Sequence, residues 1–303
     1  MTMTPNSAIT RLFDNIYLIQ AKNGSRYPFC NSFLFTGKVR VLIDAGIGEE
    51  MIRELDRKKR IDILIITHSH PDHMLGWHVL KDRHLLLPKE TPDSTENLGL
   101  LGIRFTGESG KGAYWEKKVG QALGLHPLKK PNARFHDGTI LKAGTSRIEA
   151  IHTPGHLDDH YCFFEHRSGL LLSTDIDFSG FGPWYGNPES DIEEFEKSIE
   201  KIMKMPYKMV CPSHKGPVIG DASDLFLNYL DTFGKHREMI LSLCQPPRTL
   251  QQMISYSPFY KNRMRDKILQ GIYEQSMITK NLELLIREGL VEEKYGQFRK
   301  IEG

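Results

Sequence analysis

The segment Thr67-His68-Ser69-His70-Pro71-Asp72-His73 places four potential metal ligands within six residues. It follows directly on 61–66, a short Ile-rich run without polar alternation that reads as a buried strand. A strand end fixes where the chain enters, and a tight turn then splays the side chains. His68 and His70 can point to one centre while Asp72 and His73 turn to another. Imidazole nitrogens and carboxylate oxygens suit borderline-soft divalent cations, zinc above all. Three later residues also follow apolar runs. His156 lies in TPGHLDDH, where Pro154 and Gly155 provide the turn; Asp175 follows 170–172, and its carboxylate can bridge two ions; His214 follows 208–211. Each of these three alone is as well explained by structure. Together the seven, five His and two Asp, meet the needs of two four- or five-coordinate ions that share a water.

Other polar and aromatic residues near these turns have two readings each. Lys215, next to His214, either meets an anionic substrate group or is a solvated lysine. Trp184 and Tyr185, in GFGPWYGN after Asp175, either line a pocket or plug the core. Asp159 and His160 are expected to support the site rather than ligate.

The elements that must hold these residues are legible in outline. Short apolar segments at 16–19, 32–35 and 39–43, separated by Gly, Asn and Ser, predict a β-meander. The stretch 46–60, with Met51, Ile52 and Leu55, predicts an amphipathic helix, and 74–80 predicts another. Residues 94–131, rich in Gly and Lys around Tyr114 and Trp115, read as a loop or helical insertion that shapes substrate access. Strands resume at 148–151, 161–164 and 170–172. Ser190 with Glu193 forms a capping-box pattern ahead of Ile192, Phe195, Ile199, Ile202 and Met203, which share one helix face, and Pro206 stops that helix. Composition shifts near Asp221. A helix over 277–288, Gly289 as its cap, and a hairpin of 290–293 and 298–301 turning at Gly296 give a winged-helix outline.

Bulk composition narrows the class. The 303 residues are 39% hydrophobic and 26% charged, as in a soluble globular protein of one large or two unequal domains. Forty Lys plus Arg against 38 Asp plus Glu leave a net charge of +2, which gives no bulk electrostatic case for nucleic acid or membrane. The segment 251–303 holds nine Lys or Arg and seven Asp or Glu, a weak balance for a DNA reader. Cys30, Cys162, Cys211 and Cys244 form no C-x-x-C pair, so reduced buried thiols are expected. The start MTMTPNSAITRLFDNIYLIQ has no basic segment followed by an apolar one, and no apolar run is long enough to span a bilayer. The expectation is a cytoplasmic protein without membrane contact.

The motifs in order, the Asp44-containing LIDAG turn, THSHPDH, TPGH, the Asp175 turn and the His214 turn, span roughly 13–216. Together they resemble the metallo-β-lactamase superfamily of hydrolases. That resemblance implies an α/β protein, an αββα sandwich with a dinuclear site at one edge of its two sheets. It implies a catalytic domain over 1–221 and a small helical, winged-helix-like domain over 222–303. His68, His70 and His156 would hold the first metal, Asp72, His73 and His214 the second, and Asp175 would bridge. Asp44 would sit behind the ligands and orient one of them. Asp175 stands where the antibiotic-degrading branch has a Cys ligand, and His70 where flavodiiron proteins have a Glu. TPGH followed by Asp-Asp-His, with the helical tail, is most similar to glyoxalase II-like and lactamase-β-2-like hydrolases. Two departures stand out: Met74-Leu75-Gly76 replaces the usual small residue and Gly-Gly, and 94–131 has no counterpart in the pattern.

The expected reaction is hydrolysis of a small ester, thioester or lactone, a small-molecule substrate, through a hydroxide bridging two divalent ions. Zn2+ is the first expectation, with Fe or Mn accepted by the same donors. Asp72 is the candidate catalytic residue that orients the hydroxide or takes its proton. The alternative is a phosphodiesterase on single-stranded nucleic acid, like the endoribonuclease in the second group, with the tail guiding the strand. A third reading is a non-catalytic metal-binding regulator.

Overall fold

The computed structural model describes residues 9–301; the expectations that touch 1–8 and 302–303 lie outside the described residues. Alternation of side chains along the strands dictates the architecture. In β2 (Ile16–Ile19), β3 (Ser32–Phe35), β4 (Val41–Ile43) and β5 (Ile63–Ile65), Ile16, Leu18, Phe33, Phe35, Val41, Ile43 and Ile65 face one way. Ile19, Leu34, Leu42 and Leu64 face the other. With β1 (Ile9–Phe13), β6 (His84–Pro88) and β7 (Ala133–Phe135) they form a seven-stranded sheet in sequence order, antiparallel over β1–β4 and parallel over β4–β7.

A second sheet of six strands repeats the logic. It contains β8 (Ile140–Ala143), β9 (Ser146–His152), β10 (Tyr161–Glu165), β11 (Leu170–Thr174), β12 (Met209–Pro212) and β13 (Val218–Ile219). Tyr161, Phe163, Leu170 and Leu172 meet the inward residues of the first sheet, whereas Cys162, Phe164 and Leu171 face outward. Both faces of both sheets are apolar, so each sheet needs two covers: the other sheet and a helical layer. Full burial of Phe33, Phe35 and Phe163 stabilises the sandwich by roughly 1.5–3 kcal/mol each.

Helix α1 (Glu49–Lys59) covers the first sheet with Ile52 and Leu55, as the amphipathic reading expects. The 74–80 helix instead divides into α2 (Pro71–Met74) and a 3-10 turn at Trp77–Leu80. Gly76 separates them, and its N–H donates to the Ala45 carbonyl rather than continuing a helix. The insertion is helical: α3 (Leu98–Thr106) is capped by the Asn97 side chain, and α4 (Ser109–Trp115) runs into a wider turn at Glu116–Gln121. Gly102 and Gly112 let α3 and α4 touch backbone to backbone, since a Cβ at either would overlap the other's main chain.

The second sheet is covered by α5 (Ile192–Met203), α6 (Ser223–Leu243) and α8 (Lys267–Arg287). The cap of α5 differs from the expected Ser190–Glu193 box. Asp191 is the cap and accepts from the Glu194 N–H at 2.9 Å, while Ser190 Oγ donates to the His156 carbonyl at 2.7 Å. The last long helix starts at Lys267, ten residues before the expected 277, because the Asp266 carboxylate caps it there. Residues beyond 222 share one core with α5: Phe226, Tyr229 and Phe233 pack with Phe195 and Ile199. Helix α8 crosses from one cover to the other. Leu269 and Ile272 join Trp115 and Val119, whereas Met277, Leu282 and Leu285 join α5 and α6. A short helix, α7 (Leu250–Tyr256), precedes α8, and the hairpin β14 (Val291–Lys294) and β15 (Gln297–Lys300) follows it. No helix among the described residues is long and apolar enough to cross a membrane.

Tyr185 is fully buried in this core, which corrects its reading as a pocket contact. Its hydroxyl is 2.9 Å from His236 Nδ1 and accepts from Asn281 Nδ2 at 3.1 Å. Burial pushes the His236 imidazole down to about 4. Below its ordinary value of roughly 6.5 the unfolded chain takes up a proton that the folded chain refuses. Stability from this group is therefore present near neutrality and lost as pH falls toward 4. Between pH 7.5 and 5, urea unfolding should show His236→Gln losing about 2 kcal/mol less stability than the wild type.

Candidate metal centre

The ends of four strands meet at one edge of the two sheets. The turn after β5 carries His68, His70, Asp72 and His73; the turn after β9 carries His156; Asp175 follows β11 and His214 follows β12. Ligand atoms of His68, His70, His156 and Asp175 lie within 4.8 Å of one another, and so do those of Asp72, His73, Asp175 and His214. Asp175 belongs to both sets. Its Oδ2 is 3.5 Å from His68 Nε2 and 3.2 Å from His156 Nε2. Its Oδ1 is 3.0 Å from His73 Nε2 and 3.5 Å from His214 Nε2. Asp72 Oδ2 reaches His214 Nε2 at 3.4 Å.

Each histidine is held from behind by an acceptor. His156 Nδ1 donates to the Trp184 carbonyl at 2.8 Å and His214 Nδ1 to the Ser25 carbonyl at 2.7 Å. His73 Nδ1 donates to Asp44 Oδ2 at 2.8 Å. The Thr67 hydroxyl gives its proton to Asp44 at 3.0 Å, so its oxygen accepts from His68 Nδ1 at 3.1 Å. Asn187 donates its amide to the Phe105 carbonyl, which leaves its oxygen for His70 Nε2 at 2.8 Å. With the outer nitrogen carrying the proton, the inner nitrogen of a neutral ring presents a lone pair.

Those inner atoms crowd together. His70 Nδ1 lies 3.1 Å from His68 Nε2 and 2.8 Å from His156 Nε2. Burial holds His68 and His70 well below the ordinary histidine value, with the neighbouring imidazoles adding to it. Converging lone pairs beside a carboxylate are unfavourable unless a cation stands among them. In the second set burial opposes charge, but the carboxylates around it outweigh burial. They pull His214 up to about 10, and Cys30 together with Asp175, Asp44 and Asp72 pulls His73 well up. Burial likewise opposes charge on Asp175, and the imidazoles around it hold it well below the carboxylate range. His73 Nε2 and Asp175 Oδ1 are buried, and neither has a hydrogen-bond partner. A divalent ion satisfies both atoms, so the donor set fits metal in chemistry and in geometry.

The backbone is bent to make this possible. Asp44 takes a left-handed φ of 62°, which returns its carboxylate to the Thr67 N–H at 2.9 Å, the Thr67 hydroxyl and His73. Thr174 has φ 47°, a costly conformation for a β-branched residue, and it presents Asp175 to the edge. His160 braces that bend. Its Nδ1 donates to the Thr153 carbonyl at 2.8 Å, and its Nε2 accepts from the Thr174 hydroxyl at 2.7 Å and the Asp175 N–H at 3.3 Å. Burial pushes His160 down to about 3, so it stays a neutral acceptor. Asp159 accepts from Ser69 and Thr91. Gly155 takes φ 118°, and a Cβ there would overlap the Phe195 backbone.

A cavity of about 680 Å³ opens over the site, and His70, Asp72, His156, Asp175 and His214 form its floor. Trp184 lines it, while the Lys215 amine bonds the Phe178 carbonyl at its wall. The supports that sequence reasoning missed are Asn187, the Thr67 hydroxyl and the carbonyls of Ser25 and Trp184. Asn187 lies in the same GFGPWYGN loop as Trp184, and nothing in its type or spacing singles it out; a backbone carbonyl leaves no sequence signal at all.

A family model described as the metallo-beta-lactamase superfamily matches residues 26–214. The chain is 29% identical over 176 residues to a hydroxyacylglutathione hydrolase of Francisella tularensis subsp. novicida, covering 57% of each chain. It is 25% identical over 218 residues to an atrochrysone carboxyl ACP thioesterase of Aspergillus fumigatus, covering 70% of this chain and 58% of that one. The matched region therefore spans a little over half the length of these two relatives. A metallo-beta-lactamase family protein from Thermus thermophilus has the same fold, with a TM-score of 0.74 at 20% identity over 96% of this chain and 100% of that one.

Removing the acceptor behind His70 frees its ring to rotate. Asn187→Ala should weaken metal binding by about 10–100-fold in a chelator competition, with little change in the melting temperature of the metal-free protein. Gly155→Ala should act differently, lowering that melting temperature as well as metal affinity.

Proposed function

The chain belongs to the metallo-beta-lactamase superfamily, and on that premise we propose that it is a dinuclear metal-dependent hydrolase of a small ester, thioester or lactone. The observation that carries the reading is Asp175, whose two oxygens face two separate nitrogen-rich donor sets. His68, His70 and His156 would hold one ion, Asp72, His73 and His214 the other, with Asp175 between them. Zn2+ suits these donors best, and Fe or Mn is tolerated by the same set. When bound, such ions supply Lewis acidity and lower the pKa of water.

The remaining work falls to side chains of this chain. Burial raises Asp72, with His73 and His214 opposing, which makes its carboxylate the stronger base. It stands at the cavity floor, where it orients the attacking water and takes a proton at its carboxylate oxygen. The acceptors behind the histidines keep the inner nitrogens aimed and the tautomers set. Trp184 and its neighbours exclude bulk water from the reacting carbonyl. Lys215, whose amine bonds the Phe178 carbonyl in the lining, would meet an anionic part of the substrate with its remaining N–H groups.

Thioester chemistry has support in the names of two relatives, a hydroxyacylglutathione hydrolase and a thioesterase. Phosphodiester cleavage on a nucleic-acid strand calls for a row of cations along the backbone, and the lining offers three, Arg26, Lys118 and Lys215, among chiefly aromatic and aliphatic walls. We read 1–221 as the catalytic unit and 222–303, with α7, α8 and the β14–β15 hairpin, as a winged-helix-like unit that walls the site. Four free, buried thiols fit a reducing, cytoplasmic setting.

Purified, zinc-loaded protein should hydrolyse thioester, ester or lactone substrates in a mixed panel and leave a fluorogenic RNA intact. RNA cleavage without ester turnover would replace this reading with the phosphodiesterase one. His70→Ala should lose one of two ions by plasma mass spectrometry together with hydrolysis; a full metal complement in that variant would sink the ligand assignment.

A further inference from the structure

The walls of the cavity differ in chemistry from its floor. The insertion contributes Phe105, Trp115 and Val119, and the C-terminal segment contributes Tyr260, Leu269 and Tyr273. These rings continue from the site histidines without a polar break. His70 touches Phe105 at 5.5 Å between ring centroids, and Phe105 touches Trp115 at 5.3 Å. On the other side His70 lies 5.2 Å from Trp184, and Trp184 lies 5.5 Å from Tyr273.

The polar ends of these aromatics are largely used internally. Trp184 Nε1 donates to Tyr260 Oη at 2.6 Å, and Tyr114 Oη donates to Asp266 at the cap of α8 at 2.9 Å. The fully buried carboxylate of Glu274 accepts from the Ser257 hydroxyl at 2.7 Å and from the Tyr260 N–H at 2.8 Å, which folds the Tyr260 loop onto α8. The walls are thus held to one another by these bonds. The basic lining residues Arg26, Lys118 and Lys215 are exposed, whereas the acids Asp72, Asp175 and Asp177 are buried in the lining. Away from these acids and the site histidines, the walls are chiefly apolar.

We infer that the cavity is an acyl-chain site: the substrate is a thioester or ester with a medium-length apolar acyl group, seated between the insertion and α8. This rests on the hydrolase reading above and names its substrate class. The volume falls within the usual range for sites that enclose a ligand of this size, roughly 300–1,000 Å³. An acetyl group would reach the floor and leave the walls uncovered. Each further methylene drawn into the cavity adds the free energy of burying one CH2, which corresponds to roughly three- to fourfold per carbon.

The test uses the full, zinc-loaded chain with a series of acyl thioesters from C2 to C12, and isothermal titration of decanoate as a binding measurement independent of turnover. The kcat/KM should climb roughly three- to fourfold per methylene from C2 to about C8. Decanoate should bind wild type at least tenfold more tightly than Met264→Arg or Leu123→Arg, each of which places a charge in the lining. The chain-length slope should collapse in both variants, with circular dichroism confirming that they fold. Thioester hydrolysis with no dependence on chain length, and no decanoate binding, would overturn the acyl site and leave the hydrolase reading standing. Decanoate binding lost in both variants, with no thioester, ester or lactone hydrolysed at any length, would support the acyl site and overturn the hydrolase reading.

Discussion

Three imidazole nitrogens and one carboxylate oxygen face one another across about 3 Å at the edge of two packed sheets. Left alone, that arrangement is electrostatically costly, because every inner atom presents electron density and burial denies it water. The cost is sustained because each ring is also gripped from outside by an acceptor that fixes its proton: Asp44, Thr67, Asn187, and the carbonyls of Trp184 and Ser25. The outer bonds point the lone pairs inward, and the inward lone pairs call for a cation. Asp44 does the most of this, since a single carboxylate restrains the THSHPDH turn at its start and at His73.

The sandwich supplies the stiffness that this crowding needs. Strand pleating sends alternate residues into the interface between sheets and into the two helical covers, so no strand can slip by one residue without exposing a full row of apolar side chains. Residues just past the strand ends inherit that positional accuracy. Two of the bends that aim carboxylates into the site, at Asp44 and Thr174, sit in left-handed backbone conformations that an unsupported loop would relax. His160 is the brace at the second of these, neutral because burial keeps it so.

The insertion and the C-terminal segment do different work from the sandwich. They supply walls, not ligands. Helix α8 joins both helical covers and passes across the site edge, so the chain after Asp221 is packed into the same core that carries Phe195 and Ile199. The pairs Tyr114–Asp266 and Trp184–Tyr260 lock those walls to one another and to the loop after Asp175. Donor cluster and enclosure thus come from different parts of the chain and meet only in the folded molecule.

The contrast between what sequence reading reached and what it missed follows from range. The cluster of donor side chains was legible because its members are local: His68, His70, Asp72 and His73 share one turn, and His156, Asp175 and His214 each follow a short apolar strand. Strand alternation was legible for the same reason, and Ile16–Ile19 and Ser32–Phe35 have the bounds their composition implied. Choices between equivalent neighbours were not. Ser190 and Asp191 are both good caps, and the pull of the His156 carbonyl on Ser190 decided for Asp191. Trp184 and Tyr185 are adjacent aromatics, and only packing against α6 and α8 sent one to the cavity and the other to the core. By itself the sequence determined which side chains can bind and which segments can form strands, because both depend on residue type and near neighbours. Only the tertiary structure decided what stands behind each ligand and in front of it, because Asn187 meets His70 across 117 residues and Ser25 meets His214 across 189. Contacts of that span are set by how sheets and helices pack, which no local pattern encodes.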